Sequence, residues 1–221
     1  MNEYLLLKLL HLILFVYWLG GDLGTFYASR YVVKTDLTPA QRHTALNIMM
    51  GVDQGPRICM ALILGPGVHM AAMTGLIQVS GLQLTALWLV CLLWVSMVLV
   101  IHFGHGKAFI KPLTQFDFGF RLAVIALCIY IGATSLAGAG KIQVDWLAWK
   151  LLIFAAMVAC GLGIRLQLKP FIQGFGQMMQ QGASEQSDKL MLTGLQRVRP
   201  FVYLIWVGLI VNAAFGLHLI Q

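Results

Sequence analysis

Two ionisable side chains stand inside the first long apolar run of the chain. His11 and Asp22 are eleven residues apart, about three helical turns, so a helix places both on one face with Phe15 and Trp18 between them. Ionisable groups are costly in hydrocarbon and usually face the interior of a helix bundle. This face is therefore predicted to contact a cofactor or a partner helix.

The composition indicates a protein that lies mostly in lipid. Of the 221 residues, 59% are hydrophobic and 10% are charged, and the mean hydropathy is +0.82, whereas soluble domains carry roughly 25% charged residues. The net charge of +7 does not indicate nucleic-acid binding, because the basic residues are scattered singly between apolar runs. We predict an all-α, polytopic transmembrane bundle that forms a single domain over residues 1–221, without a nucleic-acid partner.

Six apolar runs are long enough to cross a hydrocarbon layer of roughly 30 Å, which takes about 20 helical residues. The predicted spanning helices cover about residues 4–31, 56–77, 82–103, 118–138, 146–167 and 200–220, with a flexible or surface-lying cytoplasmic loop at 170–199. Pro56 and Pro200 are expected in the first turns of their helices, and Pro66 is expected to bend the second one. Most of the fifteen Lys and Arg residues fall in the connections after the odd-numbered runs. The positive-inside rule then predicts that both termini lie on the outer side.

Counting residues from the helix ends predicts which polar groups share a depth. Antiparallel first and second helices would bring His11 and His69 to one level near the outer face, joined by Lys150 and His218. Two imidazoles at equal depth on facing helices suit a b-type haem, whose iron takes axial ligands from opposite sides. His11 and His69 are the predicted iron ligands, and Lys150 would pair with a haem propionate, although His69, Lys150 and His218 all stay open as the group opposite His11. The cofactor-binding set is completed by Phe15 and Trp18. The alternative is that each imidazole only hydrogen-bonds a neighbouring helix.

A second polar layer is predicted deeper in the bundle. Asp22 and Arg57 fall at nearly equal depth, and a buried carboxylate needs a cationic partner, so they are expected to form an ion pair. Asp53, one turn before Arg57, competes for the same guanidinium. The pair would hold the helices together, set the field beneath the haem or carry a proton. His102 and His105 at the inner end of the third helix are candidates for a quinone headgroup site.

Copper offers a different interpretation of the second helix. Met70 and Met73 follow His69, and thioether with imidazole is an acceptable ligand set for Cu(I). A third interpretation is a haem-less membrane subunit of a respiratory complex, in which the histidines only join helices. The four cysteines fall in four different apolar runs without metal-binding spacing.

Two stretches carry a family resemblance. The run LLKLLHLILFVYWLGGDLGTFYASRYV, with its K-x-x-H opening and aromatic-Trp-x-Gly continuation, resembles the first helix of HemJ-type protoporphyrinogen oxidases and of CopD-like membrane proteins. The run WLAWKLLIFAAMVACGLGIRLQLKP at 146–170 is similar to their helix that opens with a lysine. The resemblance implies a b-haem protein of a bacterial inner membrane in which His11 and Lys150 are important. It also implies either oxidation of protoporphyrinogen with electrons passed to the quinone pool, or, for CopD-like proteins, a link to copper uptake.

These observations lead to one preferred hypothesis, an electron-transfer membrane protein with a b-type haem near its outer face. Lys150, Asp22 and Arg57 are the candidate catalytic residues. The expected partners are the lipid bilayer, quinone or a redox partner protein, and a second copy of the chain.

Overall fold

A computed structural model describes residues 2–104 and 106–220. It confirms the all-α fold class, with eight helices in this part of the chain. They are α1 Glu3–Val32, α2 Pro39–Leu62, α3 Leu64–Met73, α4 Gly81–Phe103, α5 Ile110–Leu136, α6 Asp145–Gln167, α7 Lys169–Gln181 and α8 Glu185–Gly216. Six apolar stretches are long enough to cross a membrane, since α2 with α3 and α6 with α7 each count as one. The chain is thus a multi-pass helical membrane protein.

The helix starts follow from local sequence. Thr38 and Gln41 form a reciprocal capping box at α2, where Pro39 occupies the first turn and needs no hydrogen-bond acceptor for its nitrogen. Ser80 caps α4 in the same way, and Ser184 caps α8. These caps satisfy the backbone N–H groups that a first helical turn leaves without intrahelical partners.

The helices pack into one bundle. α1 lies along α2 and α3, α2 also contacts α4, and α6 joins α5 to α8. The central core is aromatic and sulfur-rich, and it includes Trp18, Trp94, Phe154, Met60 and Met157. Glu3 reaches His69, and Trp146 reaches His218, so the two chain termini lie at one end of the bundle. We call this the terminal end, and we call the opposite end, with most of the Lys and Arg, the basic end.

A second core forms at the basic end, where the sequence predicted a loop at 170–199. That stretch is helical instead: α7 and the first turns of α8 pack against each other and against the first half of α2. The buried side chains are Val32, Met49, Phe171, Met178, Met191 and Leu195. A Cβ on Gly174 would stand 2.7 Å from the Ser187 carbonyl oxygen, so glycine allows α7 to approach α8 this closely. The loop prediction failed because these helices are amphipathic and polar enough to escape a search for continuous apolar runs.

Prolines 56 and 200 lie inside helices rather than at their starts. α2 begins seventeen residues before Pro56, at Pro39, and α8 begins at Glu185. The Pro56 ring fits against Gly21, where an added Cβ would stand 2.5 Å from the proline Cδ. α2 also extends beyond its apolar run, and its first half contributes to the second core. A hydropathy pattern therefore located its apolar half and missed its polar extension.

Pro66 interrupts the second span as predicted. α2 ends at Leu62 and α3 begins at Leu64, because Pro66 has no N–H to donate to the carbonyl of Leu62. Gly67 N still donates to the Ile63 carbonyl, at 3.3 Å. The break puts the Ile63 carbonyl within reach of α1.

Candidate functional site

His11 occupies the break between α2 and α3. Its Nδ1 lies 3.1 Å from the Ile63 carbonyl oxygen. A carbonyl can only accept, so this bond requires the proton on Nδ1 and leaves a lone pair on Nε2. Gly67 makes room for the ring, since a Cβ there would stand 3.1 Å from His11 Cε1. The imidazole is thereby held in the tautomer in which Nε2 can bind a metal.

His69 takes different partners. The Trp88 indole Nε1 donates to His69 Nδ1 at 3.4 Å, and the two rings meet edge to face with centroids 6.4 Å apart. His69 Nε2, which carries the proton in this tautomer, lies 3.7 Å from Glu3 Oε1.

The two histidines lie at similar depth but on different faces of the helices. Gly67 contacts His11, and His69 follows Gly67 by two residues, a rise of about 3 Å along α3. Those two residues also turn the side chain by about 200°, so His69 faces α4 while Gly67 faces His11. Counting depth did not fix the rotation of α3, and the two imidazoles therefore take different partners.

Lys150 and His218 meet around one aromatic ring. The Lys150 ammonium lies 5.8 Å from the centroid of the Trp146 ring, and His218 packs edge to face on the same ring at 5.1 Å. A Cβ on Gly216 would stand 3.0 Å from Lys150 Nζ. Lys150 is half-buried and close enough to His11 for an electrostatic interaction, and no carboxylate within the described ranges lies at ion-pair distance from it. Lys150 and His218 thus share the Trp146 ring at the terminal end of the bundle.

The aromatic residues predicted for the cofactor slot belong to the central core. Trp18 is buried and packs edge to face on Phe154, with centroids 6.3 Å apart. Phe15 is partly buried and packs against the same core. Trp18 of α1 therefore contacts Phe154 of α6 inside the core.

The predicted ion pair between Asp22 and Arg57 is not formed. Arg57 Nε donates to Asp53 Oδ2 at 2.6 Å, and its Nη2 contacts the same oxygen. Arg57 pairs with Asp53 instead because Asp53 lies one turn before it on the same face of α2. Asp22 stays near enough to both groups to interact electrostatically, and it lies beside Trp18.

Three charged side chains between α5 and α6 form a cluster that was not predicted from the sequence. Asp117, with a fully buried side chain, accepts hydrogen bonds from Arg121 Nε at 3.0 and 3.1 Å and from Arg165 Nη2 at 2.7 Å. The Arg121 guanidinium also lies 5.5 Å from the Trp94 ring centroid, and Nη1 reaches Met60 Sδ at 3.6 Å. One carboxylate thus joins α5 to α6 and contacts two guanidiniums.

A local signal for this cluster exists. Asp117 and Arg121 stand four residues apart within the apolar helix α5, the spacing of a same-face ion pair. None of these three residues was among the site residues predicted from the sequence. The third member, Arg165, depends on the packing of α5 on α6 and has no signature in the sequence.

The part of the chain that the structure covers holds no group of three or more His, Cys, Asp and Glu side chains placed to bind a metal ion. His102 lies at the end of α4, and His105 falls outside the described residues. No protein-family model, curated protein or solved structure matches this chain.

Proposed function

We propose that this membrane protein binds a b-type haem near its terminal end and transfers electrons to quinone or to a redox partner in the membrane. The observation that carries the proposal is the bond from His11 Nδ1 to the Ile63 carbonyl. Histidines that bind metals commonly donate one ring N–H to a carbonyl, which fixes the tautomer and directs the other nitrogen to the metal. His11 is accordingly the proposed axial ligand.

Lys150 fits the same proposal. A half-buried ammonium without a carboxylate partner in the described chain attracts an anion, and each haem carries two propionates. Gly67 and Gly216 allow the backbones of α3 and α8 to approach the His11 ring and the Lys150 ammonium closely. An imidazole ligand at His11 together with the unpaired ammonium of Lys150 favours an anionic metal cofactor over a bare metal ion.

His69 fits less well as the opposite ligand. Its Nδ1 accepts the Trp88 hydrogen bond, so Nε2 carries a proton and faces Glu3. Trp18 and Phe154 also contact each other and leave no slot between them. His11 and Lys150 are therefore the residues that would hold the cofactor.

The haem, once bound, would supply one-electron redox chemistry. The chain would hold it through His11 and balance propionate charge through Lys150. Asp22, about three turns of α1 from His11, would set the field on the inner side of the cofactor together with Arg57 and Asp53.

An absorption spectrum of the full-length protein, purified from haem-replete cells, tests the proposal. We expect reduced-minus-oxidised b-type bands that are lost in His11→Ala and kept in His69→Ala, which serves as the matched histidine control. Retention of bound haem by the His11→Ala protein would contradict the assignment of the ligand.

Metal analysis of the same preparation tests the alternatives. A colourless wild-type protein that holds stoichiometric copper, lost when Met70 and Met73 are replaced together, would overturn the haem proposal in favour of copper handling. A metal-free protein that co-purifies with other chains regardless of His11 would overturn it in favour of a haem-less subunit.

A further inference from the structure

A cluster of rings at the basic end of the bundle gathers two arginines from different helices. The Cζ of Arg30 lies 5.3 Å from the ring centroid of Phe26, and the Cζ of Arg199 lies 5.9 Å from the same centroid. Around Phe26, the rings of Tyr203 and Trp206 pack at 5.8 and 5.2 Å. We call this set the Phe26 surface, and it consists of Phe26, Tyr27, Arg30, Arg199, Tyr203 and Trp206.

The two guanidiniums of this surface are not neutralised within the chain. Among the residues that the structure describes, neither Arg30 nor Arg199 has a carboxylate at ion-pair distance. Four other arginines behave differently, because each of them binds an aspartate. They are Arg42 with Asp188, Arg57 with Asp53, and Arg121 and Arg165 with Asp117. The Phe26 surface therefore presents two positive charges to its surroundings.

The position of the surface along α1 corresponds to the lipid headgroups. α1 has 30 residues, about ten more than a hydrocarbon layer requires, and Phe26 and Arg30 lie in its last two turns. Tyr27 and Tyr203 are exposed, as tyrosines are in the aromatic belts at membrane interfaces. The hydroxyls of Tyr27 and Tyr31 bond each other at 2.9 Å beside Arg30. The charges of this surface thus lie where phosphate groups are concentrated.

We propose that the Phe26 surface binds the phosphate of an anionic phospholipid in the adjacent leaflet. Guanidiniums bind phosphate through paired, charge-assisted hydrogen bonds, and contact with aromatic faces limits the side-chain freedom that binding would otherwise remove. A zwitterionic lipid carries an ammonium beside its phosphate, so two unpaired guanidiniums favour a headgroup with net negative charge. The proposal is independent of the haem, because no residue is shared between the two sites.

Lipid titration of the purified full-length protein, followed by native mass spectrometry, tests this proposal. Phosphatidylglycerol is compared with phosphatidylcholine of the same acyl chains for the wild type, for Arg30→Gln/Arg199→Gln, and for Lys189→Gln/Arg197→Gln. The last variant removes the same charge from exposed positions of α8. We expect the first double variant to bind phosphatidylglycerol roughly 30-fold more weakly, from about fivefold per cation at the membrane surface, and the control variant to bind it nearly as well as wild type.

Three results would overturn the proposal. Equal weakening in both double variants would mean that diffuse surface charge attracts the lipid. Unchanged phosphatidylglycerol binding in Arg30→Gln/Arg199→Gln would remove the site. Displacement of the lipid by inorganic phosphate at similar concentrations would mean that a soluble anion is the ligand. Both arginines reach the surface, so circular dichroism should show wild-type helicity in every variant.

Discussion

Asp117→Asn is the substitution whose effect on the free energy of unfolding follows most directly from the structure. The change keeps the shape of the side chain but removes the charge that faces two guanidiniums inside the bundle. The Asp117 and Arg121 side chains are 0% and 7% exposed, so their interaction is little screened by solvent, whereas Arg165 is 30% exposed and contributes less. Breaking a buried ion pair costs roughly 3–5 kcal/mol. We expect a loss near the lower limit, about 3 kcal/mol, because Arg165 is partly exposed.

The free energy of unfolding can be measured by titrating the purified protein with SDS and following thiol reactivity. Cys59, Cys91 and Cys128 are buried free thiols that become reactive when the bundle opens. Asp36→Asn is the control, because Asp36 lies in the α1–α2 loop and pairs with Lys34 at 3.0 Å in an exposed position. The Lys34 ammonium holds the pKa of Asp36 below its usual value, yet solvent screens this pair, and we expect no measurable change.

A double-mutant cycle decides whether the stated cause is correct. If the loss arises from an unpaired buried guanidinium, then Arg121→Gln should cost less in the Asp117→Asn background than in the wild type, with a coupling of at least about 1 kcal/mol. Additive losses, or an Asp117→Asn protein that unfolds at the wild-type SDS fraction, would refute the reasoning.

The remaining predictions concern the contact between Gly67 and His11 and the hydrogen bonds of the buried Arg42. Gly67→Ala would put a Cβ 3.1 Å from His11 Cε1 and displace the imidazole by a few tenths of an ångström, so haem-loaded protein should show shifted absorption bands. Gly51→Ala is the control, because a Cβ there would meet nothing within 4 Å, and its bands should not shift. Identical spectra for the two variants would argue against a ligand at His11. Arg42→Ala removes a fully buried guanidinium that donates hydrogen bonds to the Val32 carbonyl and to Asp188, at 2.8 Å each. Limited proteolysis should therefore cut the α7–α8 connection faster than in the wild type. An unchanged cutting rate would show that the second core is stable without this arginine.

The sequence predicted the apolar part of the fold well. The helices expected at 4–31, 82–103 and 146–167 correspond to α1, α4 and α6 with ends that differ by a residue or so. These segments are bounded by polar loops on both sides, so the apolar run and the helix coincide. For α2, α5 and α8, the helix continues past the hydrocarbon, and a pattern of apolar residues cannot mark its end.

The candidate site could be predicted less completely. Counting depth predicted His11 and Lys150 near the same end of the bundle, and their role as cofactor-binding residues stays a prediction. It could not show that Trp88 binds His69, because the rotation of α3 follows from packing on α4. It also could not choose between Asp22 and Asp53 as the partner of Arg57, where the local i,i+4 geometry decided.

The pairing of charges separates residues that hold the bundle together from residues that remain able to bind a ligand. A guanidinium buried during folding needs a carboxylate, since an unpaired charge inside a protein costs several kcal/mol. In the described chain the buried Arg42 and Arg121 meet this condition, and the partly exposed Arg57 and Arg165 also pair with aspartates. Lys150, Arg30 and Arg199 rest on aromatic rings instead, and a ring attracts a cation without neutralising it. Their charge is therefore still available to an anion, which is the common basis of the propionate role of Lys150 and the lipid role of the Phe26 surface.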